Sequence, residues 1–419
     1  VREETRWRGR GELELQSRFY AGEFGLAWRG EDGEAIEVVH LGQWNREPGP
    51  DFVGATVRVD GVEKKGDIEL DREVADWERH GHAQNRAFAD VVLHVFFARG
   101  RRRFFTRTCR HDAVVQVRLG AARERLASAA DCGERGAAMR PADVDALVDA
   151  AARFRLARKR EGWLRAEALH GRAEAMFQYL ACGLGYKTNG IPFLLVAQRV
   201  GLERARTGVG EALLFGVAGF LDALRFDAAD GDSRVYARRL WDSWWAMRGS
   251  EARLTLPADA WTFAAVRPQN HPHRRMGALA AIASCIEQFE QASSAPAFLA
   301  ALGRLHHDFW ESRASLDGMP LRGRVALVGV QRAADLAANT YAPTLEGGQG
   351  IAALREIRAG SPSGKVRRAL AWLGIEATHA ASLTATALGQ QGLLQLYDDF
   401  APRPPAEILA LIEREDDAG

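Results

Sequence analysis

Across residues 118–140 the hydrophobic pattern of this chain changes period, and that change limits the architectures open to it. Before it, apolar residues alternate over short runs punctuated by glycine: EAIEVVHLG, GATVRVDG, KKGDIELD and ADVVLHVFF read as strands. RRRFFTR and HDAVVQVRL are candidates for two more. Between the third and fourth runs, DWERHGHAQNRAFA reads as a short helix or a structured loop. From residue 138 onward, alanine, leucine and arginine recur at helical spacing, through LERARTGVGEALLFGVAGFLDAL, VYARRLWDSWWAMR and MGALAAIASCIEQFEQ to the terminal PPAEILALIERED. The expected class is α+β, with an α/β domain over residues 1–130 and a helical domain over 138–419. A second division is expected near 250–275, where Pro257, Pro268 and Pro272 interrupt the helical pattern.

Composition narrows the function classes without choosing one. At 47% hydrophobic and 26% charged residues the chain can bury real cores, so disorder is not its default. Its 56 basic and 55 acidic residues give a formal charge of +1, so any attraction to a polyanion must come from a local patch. Cys109, Cys132, Cys182 and Cys285 are widely spaced, which argues against a cysteine zinc knuckle and a disulfide scaffold. The first residues lack an apolar signal-peptide core, and no run of 18 apolar residues follows. A cytoplasmic protein without membrane partners is expected.

The chemistry concentrates between His40 and His94. Asp51 follows a Pro-Gly-Pro turn, and Asp67, Glu69 and Asp71 alternate along one run. Period two places those three carboxylates on a single face, where they repel one another and resist burial. A divalent cation resolves both difficulties, and an all-oxygen set suits Mg2+ or Mn2+. Asp51, Asp67 and Glu69 are the expected ligands, with Asp71 completing the acidic shell and Glu37 reaching the ion through water. The alternative is a solvated edge strand whose acids pair with Lys64, Lys65 and Arg72. His80 and His82 lack the i, i+4 spacing of a zincin helix. One of them can present an imidazole to phosphate or water, so both join the catalytic candidates. His40 and His94 are expected to support the cluster from behind. Asn45 is expected to fix the entry loop or touch phosphate.

Two arginine-rich segments are candidate phosphate contacts. Arg101, Arg102, Arg103 and Arg107 follow the LHVFF run. Arg267, His271, His273, Arg274 and Arg275 occupy RPQNHPHRR, read as a positive loop before a helix N-terminus. GLGYKTNGIPF lacks P-loop spacing, so no nucleotide cofactor is expected. Trp241, Trp244 and Trp245 have spacings that suit burial on a helix.

Pro50-Asp51 followed by Asp67-Ile68-Glu69 resembles the motif of the PD-(D/E)XK nuclease superfamily. The alternative register is Glu69-Leu70-Asp71, and neither register contains the family's lysine. Over most of its length the chain also resembles the bacterial family DUF2851, through Asn45 with GPDF, GDIEL, DW…HGH, VVLHV, GLGYKTNGIPF, ALLFGVAGFL and RPQNHPHRR. The first resemblance implies a nuclease-like α/β core and metal-dependent phosphodiester hydrolysis of DNA or RNA. A nucleic-acid-binding protein with a degenerate nuclease core and a complex-forming scaffold stay open as alternatives.

Overall fold

The computed structural model describes residues 11–45, 48–98, 105–119, 141–221, 230–263 and 267–400. The chain divides into two compact units. A strand-rich one comprises Val1–Leu126 with Arg165–Gly171, and a helical one comprises Ala127–Leu164 with Arg172–Gly419.

In the strand-rich unit, helix α1 (Glu12–Tyr20) precedes a seven-stranded sheet. Its strands are β1 (Ala27–Arg29), β2 (Ala35–His40), β3 (Gln43–Trp44), β4 (Phe52–Val59), β5 (Val62–Glu73), β6 (Val91–Ala98) and β7 (Val115–Arg118). The order is β1-β2-β4-β5-β6-β7, with β3 also paired to β4. Pairing is antiparallel as far as β5 and parallel from β5 through β7. The β4–β5 hairpin turns on Asp60 and Gly61, both left-handed at φ 48° and 84°, which suits the right-handed twist of the flanking strands.

Parallel pairing of β5 with β6 requires a crossover. Residues 74–90 supply it, as helix α2 (Asp76–Arg79) and two 3-10 turns, His82–Gln84 and Arg86–Phe88. Ile68 and Leu70 of β5 enter a core with Phe52, Leu93, Val95 and Val117, closed by Leu15 and Phe19 of α1. The alternate residues Glu69 and Asp71 therefore point to the opposite face.

Two departures from simple alternation matter. The β5–β6 register slips between Asp67 and Ile68, whose partners are Val91 and Leu93, and the β4–β5 register slips between Phe52 and Ala55. Asp67 thus sits at an irregularity and not in a regular ladder. The strand expected over RRRFFTR starts outside the described residues, and Arg107 forms only an isolated bridge with Ala113.

The helical unit includes α3 (Pro141–His170, whose final turns belong to the strand-rich unit), α4 (Arg172–Leu184), α5 (Tyr186–Val200), α6 (Gly210–Val217), α7 (Gly231–Glu251), α8 (Pro272–Ala283) and α9 (Val330–Leu336). The proline-rich stretch holds three 3-10 turns, Ala252–Leu254, Ala258–Ala260 and Pro268–Asn270, inside this unit. On α7 only Trp244 of the three tryptophans is buried. Trp245 is 53% exposed and stacks on Trp241 with ring centroids 4.9 Å apart. Cys109, Cys182 and Cys285 form no disulfide among the described residues, and Cys132 lies outside them. Among the described residues no helix is long and apolar enough to cross a membrane.

Candidate metal centre

The crossover lies against the polar side of β5. It brings His80 and His82, which flank the left-handed Gly81, to the two buried acids of the strand. His80 Nδ1 lies 3.4 Å from Asp71 Oδ1, and His82 Nε2 lies 3.2 Å from Glu69 Oε1. One ligand atom from each of Asp71, His80 and His82 falls within 4.8 Å of the others. Behind them, His94 Nε2 is 3.1 Å from Asp71 Oδ2, while its Nδ1 is 2.8 Å from Thr106 Oγ1. Gln116 Nε2 donates to Thr106 Oγ1 at 2.6 Å. His94 is fully buried, so this chain holds Asp71 in one orientation.

Asp51 reaches the same place from the start of β4. Its backbone N–H donates to Glu69 Oε2 at 3.0 Å, and its carboxylate accepts from Leu70 N at 3.0 Å and Gln16 Nε2 at 2.6 Å. Gln16 lies one helical turn from Glu12 on α1. Trp77 and Phe88 wall the histidine side, with the His82 and Phe88 rings stacked at 3.9 Å and Trp77 edge-on to His82.

The electrostatics are strained. Burial first, and then the charge of Asp71, push the Glu69 carboxyl up to about 9. Asp51 is raised well above the carboxylate range by burial and then by Glu69. Glu12 is raised by desolvation and then by Asp71. His82 goes the other way, lowered by burial despite the acids around it, which favours the neutral imidazole that ligates metals. Both ring nitrogens of His82 are buried without an aligned hydrogen bond.

These residues fit a divalent cation. Two donors each about 2.1 Å from one ion stand roughly 3–3.5 Å apart, close to the His80–Asp71 separation of 3.4 Å. A cation would give the His82 ring the partner it lacks and would favour ionisation of Glu69 and Asp51. Two imidazoles beside carboxylates form a mixed nitrogen and oxygen set, unlike the all-oxygen set expected from Asp51, Asp67 and Glu69.

The expected residues therefore separate. Asp51, Glu69, Asp71, His80 and His82 converge. Asp67 does not: its carboxylate accepts from Gly54 N at 3.0 Å, and its pKa is raised by burial and, in smaller part, by the charge of Asp90. Glu37 pairs with Arg58, and the exposed His40 caps Gly42 N through Nδ1. Asn45 braces the entry turn by donating to Pro50 O. Glu12, Gln16 and Thr106 were not singled out in the sequence. For the first two, the available signal was their i, i+4 spacing at the start of a helix.

The basic segments also divide. Arg101, Arg102 and Arg103 lie outside the described residues, while Arg107 is exposed on the strand-rich unit. In the helical unit Arg267 is exposed, but Arg274 and Arg275 are buried against carbonyls. Arg274 donates to Arg313 O, Val325 O and Ala326 O, and Arg275 donates to Leu327 O. His273 accepts from Leu316 N, and His271 accepts from His273 N at the start of α8. The phosphate contact expected of Arg274 and Arg275 is corrected: their guanidinium groups satisfy backbone acceptors inside the unit.

Residues 26–347 match the family model described as a protein of unknown function, DUF2851. No curated protein matches, and no solved structure matches.

Proposed function

The chain belongs to the DUF2851 family, and from the acid and histidine cluster beside its β5 strand we propose that it is a metal-dependent phosphodiesterase acting on DNA or RNA. The convergence of Asp71, His80 and His82 beside Glu69 and Asp51 carries this reading. The mixed donor set favours Mn2+ over Mg2+. When bound, such an ion supplies Lewis acidity toward a phosphoryl oxygen and acidifies water.

The protein groups have separable tasks. Asp71, held by His94, and the neutral His82 are the buried anchors. His80, with 41% of its side chain exposed, is the ligand that substrate and solvent can approach. Glu69 and Asp51 bring carboxyls whose proton affinity is raised by their surroundings, which suits proton transfer to or from water. The run Pro50-Asp51 and Asp67-Ile68-Glu69, set on a β4–β5 hairpin, supports a PD-(D/E)XK-like core. The Arg107 guanidinium has no partner among the described residues and is available to a phosphate.

One sequence observation favours a second reading, binding without cleavage. The site strand lacks the motif lysine, and Lys64 and Lys65 lie exposed on the distal half of β5.

The test is a Mn2+ and Mg2+ cleavage panel on single-stranded, duplex and branched DNA and RNA, with Asp71→Ala, Glu69→Ala and Asp51→Ala beside the wild type. Mn2+-dependent cleavage lost in all three folded variants is the expected result. Salt-sensitive binding with no cleavage at any metal concentration establishes the second reading instead. Failure to bind either metal or nucleic acid removes both and leaves the scaffold.

A further inference from the structure

The helical unit holds a separate cavity of about 380 Å³, to which two sequence motifs left unused by the metal centre contribute. GLGYKTNGIPF supplies Gly185, Tyr186, Thr188 and Asn189 at the start of α5, and RPQNHPHRR supplies Arg267 and Asn270. Helix α9 adds Arg332 from its first turn and Asp335 from its second.

The wall is built and not merely left over. Gly185 is required, because a Cβ there would lie 2.2 Å from Asn189 O. Tyr186 follows in the left-handed region at φ 57°, a costly conformation for an aromatic residue. Its hydroxyl donates to Asn270 Oδ1 at 2.7 Å and accepts from the buried Arg275 at 3.1 Å. Arg275 also donates to Asn270 Oδ1 at 2.6 Å. With its carbonyl oxygen doubly engaged, Asn270 keeps an amide NH2 that has no partner among the described residues.

The cavity's charge is mostly positive. The Arg332 guanidinium lies 3.0 Å from the centroid of the Tyr186 ring, its side chain 11% exposed. Its Nε is buried with no hydrogen-bond partner among the described residues, and the carboxylate of Asp335 stands 3.6 Å from Nη1. Asp335 is itself under the field of Lys159 as well as of Arg332. Arg267 is exposed; its carbonyl accepts from Asn270 N at 2.8 Å, but its guanidinium makes no hydrogen bond or ion pair among the described residues. The N-terminus of the 15-residue α5 adds its positive dipole end.

We propose that this cavity is an oxyanion site that binds a phosphate group, with Arg267 and Arg332 as its cationic clamp and Asn270 as a neutral donor. Arginine forks match phosphate geometry, and one fixed by stacking loses little freedom on binding. The phosphate can belong to a free anion or monoester, or to the backbone of a nucleic-acid strand.

Isothermal titration of the full chain, in EDTA so that the metal centre plays no part, tests this with inorganic phosphate and with an unphosphorylated dinucleotide. Saturable binding of at least one probe is expected, weakened about tenfold or more in Arg267→Gln and Arg332→Gln but not in the exposed control Arg322→Gln. Tighter binding of phosphate assigns the monoester, and tighter binding of the dinucleotide assigns the strand. Should Arg332→Gln fail to fold, Arg267→Gln and Asn270→Ala decide. No saturable binding of either probe, or undiminished binding in Arg267→Gln, overturns the proposal.

Discussion

The strand-rich and helical units each withdraw a glutamate from water, and they treat it in opposite ways. In the helical unit Glu211 Oε1 accepts from His307 Nε2 at 2.9 Å, from Trp310 Nε1 at 3.3 Å and from the Tyr236 hydroxyl. His307 Nδ1 accepts from the backbone N–H groups of Phe309 and Trp310, which fixes the proton on Nε2. Burial opposes ionisation of Glu211, but the hydrogen bonds from His307, Tyr236 and Trp310 outweigh it, and its pKa falls below the ordinary value. In the strand-rich unit Glu69 faces Asp71 and accepts from Asp51 N, and its pKa rises to about 9. The lesson is that burial of an acid does not mark a ligand site. A surplus of acceptors over donors separates the two: the Glu69 cluster has that surplus and the Glu211 cluster does not.

The sharpest way to break this comparison is to remove the acceptor from the satisfied cluster. Glu211→Ala leaves the donors of His307, Trp310 and Tyr236 with one acceptor fewer and nothing in exchange. We expect it to destabilise the helical unit by about 2–4 kcal/mol, read from the urea midpoint of that unit's transition. Glu211→Gln keeps an acceptor and should cost less than half as much. Equal losses in the two variants would mean that the cluster depends on the carboxylate charge, since Gln keeps both the packing and an acceptor.

The opposite sign is expected at Glu69. A folded-state pKa raised from 4.5 to about 9 means that the folded protein binds the proton more tightly than the unfolded chain. The associated stability is complete below about pH 4.5 and is lost as pH rises toward about 9. Glu69→Gln should therefore stabilise metal-free protein by about 1–3 kcal/mol at pH 8, and should flatten the decline in melting temperature between pH 5 and 9 seen for the wild type. Saturating Mn2+ should reverse the ranking, because the wild-type carboxylate then has a cation. If Glu69→Gln is less stable than the wild type in EDTA at pH 8, the pocket is already balanced and the contrast with Glu211 fails.

His94 refines the comparison at lower energy. It contacts Asp71 from behind and is fully buried, so it would position that carboxylate for the proposed ion without touching the ion itself. His94→Gln should lower Mn2+ affinity about 10- to 100-fold by titration while the far-ultraviolet spectrum is retained. An unchanged affinity in the folded variant would show that Asp71 needs no such brace.

Much of this was legible in the sequence, for reasons that can be named. The period change, the hairpin at Asp60-Gly61 and the acids of β5 are local patterns written in neighbouring residues. The crossover was recognisable as helix or loop, but its return over Asp71 was not. That return depends on parallel pairing of β5 with β6, a contact between segments over 20 residues apart. The arrival of Gln16 at Asp51 is equally non-local, since α1 is placed by Leu15 and Phe19 in the sheet core. Arg274 and Arg275 were misread because arginine is seldom buried, and only the loop carbonyls at 313 and 325–327 explain why these two are.

Asp67 gives the smallest effect and isolates why period two fell short. Alternation groups it with Glu69 and Asp71, but the register slip beside it turns its carboxylate to Gly54 N. Asp67→Asn keeps that acceptor and removes a charge on which burial, the Gly54 N–H and then Asp90 act, and no member of the metal cluster. Its effect on stability should stay within about 0.5 kcal/mol, and its effect on Mn2+ affinity should be under about twofold. Placing Asp67 in the same series as Glu69 and His94 tests the bulge itself. A loss of Mn2+ affinity in Asp67→Asn comparable to that in His94→Gln would return Asp67 to the metal centre and restore the alternating triplet as its ligand set.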